Sequence, residues 1–299
     1  MKDFSETHLG VIYALGAYLI WGFVPIYFKY LEFIPVYEML AHRVIWSVLF
    51  IALILTITRG WPRLFLLLNS PKTLVFLAVS TLLISTNWLV FIWAVNNEHM
   101  LDASLGYFIN PLVNVLLGLI FLNESLSRIK WIAILLALIG VTIQVVELGD
   151  LPWVSLVLPL SFGFYGLVRK KIKVEALTGL FIETLLVLPL ALFYLNFIAE
   201  SNTVNMLANS YALDAWLMFA GVVTALPLIF FAQAALRLQL STLGFFQYIA
   251  PSLLFIFAVV FYNEPMSLVK TVTFVFIWAG ILLFAFENKI TALANNTGY

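Results

Sequence analysis

Four ionisable side chains lie within stretches of the chain that are otherwise apolar. Glu38, His42 and Arg43 share one such stretch, and Glu183 lies in another. Charges are costly inside a membrane, so residues of this kind mark a functional site by default. Arg43 and Glu183 together match the carboxylate and the amine of a zwitterion, or each other when the site is empty. The alternative is a structural salt bridge that joins the two stretches.

Three of these side chains can also exchange protons. Glu38 and His42 are four residues apart, so they share one face of a helix, and we expect Glu38 to lie close to the water interface. We predict Glu38, His42 and Glu183 as candidates for proton coupling. A histidine near an interface can equally be solvated or hydrogen-bonded, which leaves both interpretations of His42 open.

Polar and aromatic side chains recur at helical spacing in further segments. Tyr107, Asn110 and Asn114 form one stripe of a helix, and Gln247 begins a matching stripe. We predict that these stripes face a central cavity with aromatic walls. The alternative for the amides is hydrogen bonding between helices. The predicted substrate-binding residues are Arg43, Asn87, Trp88, Tyr107, Asn110, Asn114, Glu183, Phe245, Gln247 and Tyr248.

Two prolines fall in these stripes, Pro111 and Pro251. A proline leaves a helix carbonyl without its usual donor, and such breaks in both halves of a transporter point to its binding site. We therefore expect a helix break at each proline.

The composition indicates a membrane protein. The chain has 299 residues, of which 64% are hydrophobic and 10% charged, with a mean hydropathy of +1.07. A soluble domain has close to a quarter of its residues charged. The formal net charge of +0 gives no reason to expect a nucleic-acid partner, and the absence of cysteine excludes disulfides and thiolate chemistry.

Sequence motifs give no support to an enzyme. The chain lacks the Walker A, H-E-x-x-H and G-x-S-x-G patterns. His8, His42 and His99 are too scattered for a metal cluster. We expect no catalytic residue, no metal and no cofactor.

Apolar runs near the length needed to cross a bilayer recur along the whole chain. They predict an all-α polytopic membrane protein with ten transmembrane helices. The predicted spans lie within residues 9–28, 36–58, 73–97, 103–123, 131–146, 151–168, 176–199, 215–236, 238–263 and 271–286.

The basic residues predict the orientation of these helices. With the N-terminus in the cytoplasm, only Lys29 and Lys270 fall on the outer side. Because cytoplasmic loops carry the excess of Lys and Arg, both termini are predicted to be cytoplasmic. The basic residues on the inner side are Lys2, Arg59, Arg63, Lys72, Arg128, Lys130, Arg169, Lys170, Lys171, Lys173, Arg237 and Lys289.

An internal repeat divides the chain into two units. One constant shift along the sequence aligns Pro111 with Pro251, Phe121 with Phe261, Asn123 and Glu124 with Asn263 and Glu264, Ser127 with Ser267, Lys130 with Lys270, and Gly140 with Gly280. Each unit holds five helices, residues 1–148 and 149–290, followed by a short cytoplasmic tail at 291–299. Because five is odd, the second unit must be inverted in the membrane. Arg43 and Glu183 align at the same shift, so we expect them to approach each other from opposite halves.

Charged residues at the helix ends have simpler roles. We expect Glu124 and Glu264 to cap the fifth and tenth helices. The basic cluster formed by Arg169, Lys170, Lys171 and Lys173 is predicted to anchor the topology, or to bind lipid head groups.

The chain resembles the EamA-type family of the drug/metabolite transporter superfamily. The doubled five-helix unit carries this likeness. The similarity is closest to the RarD-like permeases labelled "chloramphenicol-sensitive protein", through HRVIWS at 42–47, NWLVFIWAVNN at 87–97, ASLGYFINPLVN at 103–114, YGLVRKK at 165–171 and STLGFFQY at 241–248. The resemblance implies a ten-helix permease of the bacterial inner membrane. Members of the superfamily move amino acids, nucleotide sugars, drugs and other metabolites, so the resemblance names no substrate.

These observations together predict a secondary active transporter. We expect it to export small, amino-acid-like or aromatic metabolites by alternating access around a midplane cavity. One alternative is a channel-like facilitative pore or a lipid-head-group translocator, and a second is a non-transporting membrane enzyme or scaffold. The expected partners are a small-molecule substrate, membrane lipid and protons, and the chain is expected to be a monomer or a homodimer.

The predicted topology can be tested with reporter fusions. A fusion at Gly149 should report a periplasmic position and one at Lys171 a cytoplasmic position, because one predicted helix separates them. Alkaline phosphatase and green fluorescent protein reporters measure the two states. Periplasmic signals from fusions at both termini would contradict the orientation.

Overall fold

The computed structural model describes residues 5–97, 99–149, 151–199, 203, 206, 209–260 and 268–296. Regular structure within these ranges is helical. The helices are α1 (Glu6–Tyr30), α2 (Val36–Ile57), α3 (Trp61–Leu68), α4 (Pro71–Asn96), α5 (Met100–Leu122), α6 (Arg128–Leu148), α7 (Trp153–Ile172), α8 (Ala176–Phe197), α9 (Tyr211–Arg237), α10 (Leu240–Gln247), α11 (Ile249–Val260) and α12 (Leu268–Asn296).

The predicted fold class, an all-helical polytopic membrane protein, is confirmed. Nine segments in the described part of the chain are long and apolar enough to cross a bilayer, with α10 and part of α11 counting as one. The remaining long helix, α7, has 20 residues, but its last turn carries three basic side chains that lower its hydropathy. The tenth span therefore stays a prediction.

A short helix, α3, lies in the connection between the predicted spans 36–58 and 73–97. Pro62 stands in its first turn, where a missing N–H costs nothing. Leu64 is buried, whereas Phe65 and Leu66 are exposed. A helix of eight residues is too short to cross a membrane, so α3 is an amphipathic connection between α2 and α4.

The helix boundaries repeat along the chain at the interval found in the sequence. Four helices of the first half begin at one constant interval before their counterparts in the second half, and this interval equals the shift that carries Pro111 onto Pro251. The paired first residues are Val36 and Ala176, Pro71 and Tyr211, Met100 and Leu240, and Arg128 and Leu268. The first helix of each half departs from this register, because α1 begins at Glu6 and α7 at Trp153.

The packing follows the same correspondence. Equivalent helices pack against each other in the pairs α2 with α8, α5 with α10, and α6 with α12. The contact of α1 with α9 has its counterpart in α4 with α7, and that of α2 with α9 in α4 with α8. As a result, α1, α2 and α9 form one packed group and α4, α7 and α8 another, and each group mixes helices of both sequence halves.

Equivalent glycines permit one of these contacts. A Cβ atom on Gly140 would lie 3.0 Å from the carbonyl oxygen of Thr273, and one on Gly280 would lie 2.8 Å from that of Ala133. Small residues let helix backbones approach closely where lipid supplies no hydrophobic driving force. The two glycines therefore fix the contact between α6 and α12.

Only one of the two expected helix breaks is present. Helix α5 continues through Pro111, whereas the second stripe is interrupted at Tyr248, between α10 and α11. Pro251 lies in the first turn of α11, where the lack of an N–H does not remove a helix bond. The Tyr248 hydroxyl group donates to the carbonyl oxygen of Phe108 at 3.3 Å and thereby joins the break to α5.

Glu124 does not cap α6, the helix that we predicted, but the start of another helix. Ser127 caps α6, with its hydroxyl oxygen accepting from the backbone N–H of Lys130 at 3.2 Å. Glu124 instead accepts from the backbone N–H groups of Leu240 at 2.6 Å and Ser241 at 3.0 Å, at the start of α10. Glu264, the expected cap of the last helix, lies outside the described residues.

Two glycine substitutions should have different effects on stability. A Cβ atom on Gly221 would meet the backbone of Trp46 and Ser47, and lie 2.7 Å from the nitrogen of Ser47. We expect Gly221→Ala to destabilise the protein by about 1–3 kcal/mol, because overpacking against backbone cannot be relieved by a rotamer change. Thermal unfolding in detergent measures this loss.

Gly16→Ala is the matched control, since its Cβ atom would meet the ring of Phe230, 2.6 Å from Cδ2. That ring can turn aside, so a smaller loss is expected. Equal losses in the two variants would contradict the assigned role of the α2–α9 contact.

Candidate functional site

Arg43 lies on α2 with its guanidinium group among hydroxyl and aromatic groups. Its Nε atom donates to Oγ1 of Thr224 on α9 at 2.9 Å. Its Cζ atom lies 5.1 Å from the ring centroid of Phe28 and 5.6 Å from that of Trp88. Within the part of the chain that the structure describes, none of the ion pairs involves Arg43. This half-buried cation therefore has no carboxylate among its described neighbours.

Two tyrosines complete the surroundings of Arg43. Tyr27 and Tyr107 both lie near the guanidinium group. The Tyr27 hydroxyl group donates to the carbonyl oxygen of Trp216 at 2.7 Å, which joins α1 to α9. The Tyr107 side chain is 40% exposed and its ring lies 6.0 Å from that of Phe91. Trp88 and Tyr107, both predicted from the sequence, thus meet Arg43 in one aromatic site.

A surface pocket lies next to this aromatic site. We call the end of the bundle that holds residues 31–35 the outer end, following the predicted orientation. The pocket at this end is lined by Tyr30, Leu31, Phe33, Ser210, Ala212, Leu213 and Trp216. Trp216 belongs to its wall and also contacts Tyr27, with ring centroids 5.9 Å apart. The outer pocket therefore adjoins the residues around Arg43.

Glu183 does not pair with Arg43, and the predicted contact between them is wrong. The Glu183 carboxylate accepts from Ser80 Oγ at 2.5 Å and from the Tyr165 hydroxyl group at 3.2 Å. Its charged partner is Arg169, with Nη1 3.4 Å from Oε1, and both side chains are 1% exposed. This buried cluster joins α4, α7 and α8.

The direction of the helices explains why the two charges are apart. Arg43 and Glu183 are each the eighth residue of their helix, about 10 Å from its start at 1.5 Å per residue. Helices α2 and α8 are antiparallel, since Tyr37 at the start of α2 contacts Tyr194 near the end of α8, with ring centroids 6.2 Å apart. Arg43 therefore lies toward the outer end and Glu183 toward the opposite, inner end.

Several predicted site residues instead join helices to each other. Asn87 donates to the carbonyl oxygen of Leu158 at 2.9 Å and to Ser161 Oγ at 3.1 Å, which ties α4 to α7. Asn114 donates to Oε1 of Gln247 at 2.7 Å, which ties α5 to α10. These bonds follow the alternative stated for the amides, hydrogen bonding between helices.

The remaining predicted residues are buried in the same packing. Phe245 stacks on Phe284 of α12 with ring centroids 4.0 Å apart. Tyr248 is fully buried and Asn110 is 7% exposed. None of the contacts described for these residues reaches Arg43, so the structure does not bring them to the aromatic site.

Glu38 and His42 are buried, whereas we expected Glu38 close to water. Their side chains are 1% and 3% exposed. Thr203 donates to Oε2 of Glu38 at 2.7 Å. The Asn209 side chain in turn donates hydrogen bonds to the carbonyl oxygen of Thr203 at 3.2 Å and to Oδ1 of Asp214 at 3.0 Å. Both carboxylates interact electrostatically with His42, so the buried Glu38 and His42 and the half-buried Asp214 form a second cluster of titratable groups, between α2 and α9.

Sequence reasoning missed the role of Arg169, which we assigned to a membrane anchor. Tyr165 and Arg169 are four residues apart, share a face of α7, and both contact Glu183. That spacing could have indicated an inward-facing arginine. Lys170 also turns inward and donates to the carbonyl oxygens of Ala235, at 3.0 Å, and Leu238 at the end of α9.

Charged side chains join the helices at the inner end of the bundle. Lys170 binds carbonyl oxygens at the end of α9, while Glu124 binds amides at the start of α10. Each charge complements the helix end that it contacts. Above them, toward the middle of the bundle, the rings of Tyr18, Trp21, Phe162, Tyr165 and Phe231 form one aromatic cluster, with centroid distances of 5.0–6.5 Å.

Nine apolar spans in the described residues define a multi-pass membrane protein, and it holds a cation in an aromatic site inside the helix bundle. The model of the EamA-like transporter family matches residues 8–146. Protein RarD of Escherichia coli K12 is 53% identical to this chain over 285 residues, which cover 95% of this chain and 96% of the relative. An uncharacterized transporter of Vibrio cholerae is 49% identical to this chain, and the match covers 95% of this chain and 94% of the relative.

The chain belongs to the EamA-like transporter family, as a RarD-like permease. The chloramphenicol-sensitive protein RarD of Pseudomonas aeruginosa is 32% identical, with 93% of this chain and 94% of the relative covered. A solved crystal structure shares the fold, with a TM-score of 0.70 at 16% identity over 93% of this chain and 96% of its own. The protein is therefore a membrane transporter of the drug/metabolite superfamily and a multi-pass protein of the bacterial inner membrane.

The buried pair of Arg169 and Glu183 makes a prediction about stability. Arg169→Gln should destabilise the protein by about 3–5 kcal/mol, because it leaves the Glu183 charge buried without its partner. The double variant Arg169→Gln, Glu183→Gln should recover much of this loss. Thermal unfolding in detergent measures both effects.

Arg63→Gln is the control, since Arg63 forms an exposed pair with Glu175 and surface pairs contribute about 0–1 kcal/mol. An Arg169→Gln variant as stable as the wild-type protein would show that the pair is not a structural element.

Proposed function

We propose that this protein is a secondary active exporter of small, amino-acid-like or aromatic metabolites whose carboxylate binds Arg43. One observation carries the proposal: Arg43 is a cation inside the bundle with aromatic neighbours and no ion pair among the described residues. A charge kept in such a place at high energetic cost has a function to serve.

The geometry suits a carboxylate. Thr224 occupies the Nε atom of Arg43, which leaves the terminal nitrogens to donate. A guanidinium group presents donors in a planar fork that fits a carboxylate with two hydrogen bonds. The rings of Phe28, Trp88 and Tyr107 then offer apolar surface to the body of the substrate.

An inverted pair of five-helix units supports transport by alternating access. The two units are residues 1–148 and 149–290, and their helix boundaries recur at the constant interval of the repeat. In this proposal both termini are cytoplasmic, the aromatic site opens outward, and the contacts of Lys170 and Glu124 close the inner side. Inward opening would separate those contacts.

Protons are the proposed coupling ion. The titratable cluster of Glu38, His42 and Asp214 includes His42, the residue that precedes Arg43 on α2. Glu183 is a weaker candidate than the sequence suggested, because Arg169 already compensates its charge. A facilitative pore and a lipid-head-group translocator remain the alternatives, and an imposed pH gradient separates both from a proton-coupled exporter.

Transport into proteoliposomes tests the proposal. We expect uptake of labelled phenylalanine or tryptophan that responds to a pH gradient. Arg43→Ala should reduce uptake at least tenfold, because it removes the only group assigned to the carboxylate. Arg63→Ala is the matched control, since Arg63 is exposed and pairs at the surface.

Normal uptake by Arg43→Ala would refute the site. Transport of a dianion or an uncharged drug, with no amino acid transported, would refute the proposed substrates and leave the transporter family intact.

A further inference from the structure

We infer that the site recognises the carboxylate of its substrate and offers no carboxylate of the described residues to an amine, so that an aromatic monocarboxylate without an amino group is a full ligand. This inference rests on the proposed function and narrows the substrate class. It also departs from the zwitterion that the sequence predicted.

Neither of the two carboxylates predicted for the site, Glu183 and Glu38, lies beside Arg43. Glu183 would have bound the substrate amine, but it pairs with Arg169 at the opposite end of α8 from the site. Glu38 is five residues from Arg43 on α2, which places the two side chains about 140° apart around the helix. Glu38 faces Thr203, and so neither carboxylate shares the surroundings of Arg43.

The aromatic rings around Arg43 do not provide a site for an amine. A ring face can hold an ammonium group in place of a carboxylate. One face of the Phe28 ring and one face of the Trp88 ring, however, are already occupied by the guanidinium group of Arg43. A second cation at the same rings would also be repelled by Arg43. An amine entering this site would therefore lose its water and gain no compensating charge.

Thr224 acts as a positioning residue for Arg43. Its hydroxyl oxygen accepts from Nε, which fixes the plane of the guanidinium group and leaves the two terminal nitrogens to donate to a ligand. One turn away, Ser47 donates to the carbonyl oxygen of Gly221 at 3.2 Å, where α2 and α9 are in close backbone contact. The seam between these helices thus holds Thr224 at a fixed place relative to Arg43.

Three probes that differ only in their charged groups test the inference. They are 3-phenylpropionate with a carboxylate, phenethylamine with an amine, and phenylalanine with both. Thermal unfolding of the purified full-length protein measures binding, because a ligand of the folded state raises its stability. We expect 3-phenylpropionate to bind at least as tightly as phenylalanine, and phenethylamine to have no effect.

Four variants test whether the preference for a carboxylate depends on Arg43 and Thr224. Arg43→Gln should abolish the shift produced by 3-phenylpropionate, and Arg43→Lys should retain part of it. Thr224→Val should weaken binding about tenfold, as expected for loss of a hydrogen bond to a charged group. Thr224→Ser keeps the hydroxyl group and should restore binding, whereas a merely structural threonine would tolerate valine as well as serine.

The outcomes separate this inference from the proposed function. If phenylalanine binds through Arg43 and 3-phenylpropionate does not, the amine is required and the inference is overturned, while the proposed function stands. Binding of phenethylamine alone would also overturn it. If none of the three probes binds and none is transported, both the inference and the proposed substrates fall.

Discussion

A charge inside a bilayer needs a partner, and the distribution of partners organises the interior of this protein. Glu183 is compensated by Arg169 and by two hydroxyl donors at the inner end. Arg43, at the equivalent place in the first half, has a hydroxyl group and aromatic rings but no carboxylate among the described residues. The first arrangement is complete within the described residues, and in the proposed function a ligand completes the second.

The packing places the pair of Arg169 and Glu183 within one group of three helices, whereas the surroundings of Arg43 extend over both groups. Arg43 and Thr224 belong to the group of α1, α2 and α9, while Glu183, Arg169 and Ser80 belong to the group of α4, α7 and α8. Trp88 lies on α4, so a movement of one group against the other would change its contact with Arg43 and leave the pair of Arg169 and Glu183 intact. The same movement would change the packing of α2 against α8, which joins the two groups.

The sequence was sufficient for the fold class and most of the helices, because charge-free runs of membrane length can hardly form anything else. It also indicated the repeat, whose constant interval returns in the helix boundaries. The pairing of Arg43 with Glu183 failed for a geometric reason. Two residues that occupy the same position in equivalent helices lie near opposite ends of the bundle when those helices are antiparallel. A sequence alignment does not show the direction of the helices.

Arg169 and Asn87 show where sequence reasoning ends. A basic residue near a helix end is typical of an anchor, and only the three-dimensional contact with Glu183 shows that it is buried. An amide inside a membrane helix binds either a ligand or a neighbouring helix, and the structure gives Asn87 partners on α7. Trp88, the next residue, faces Arg43 instead.

The most direct measurement is an experimental structure of the protein with a brominated aromatic monocarboxylate bound. The anomalous signal of bromine would locate the ring, and the density would locate the carboxylate. The account predicts the carboxylate about 3 Å from the terminal nitrogens of Arg43, with the ring beside Trp88 and Tyr107. A ligand bound elsewhere, with Arg43 paired to a carboxylate of the protein, would contradict it.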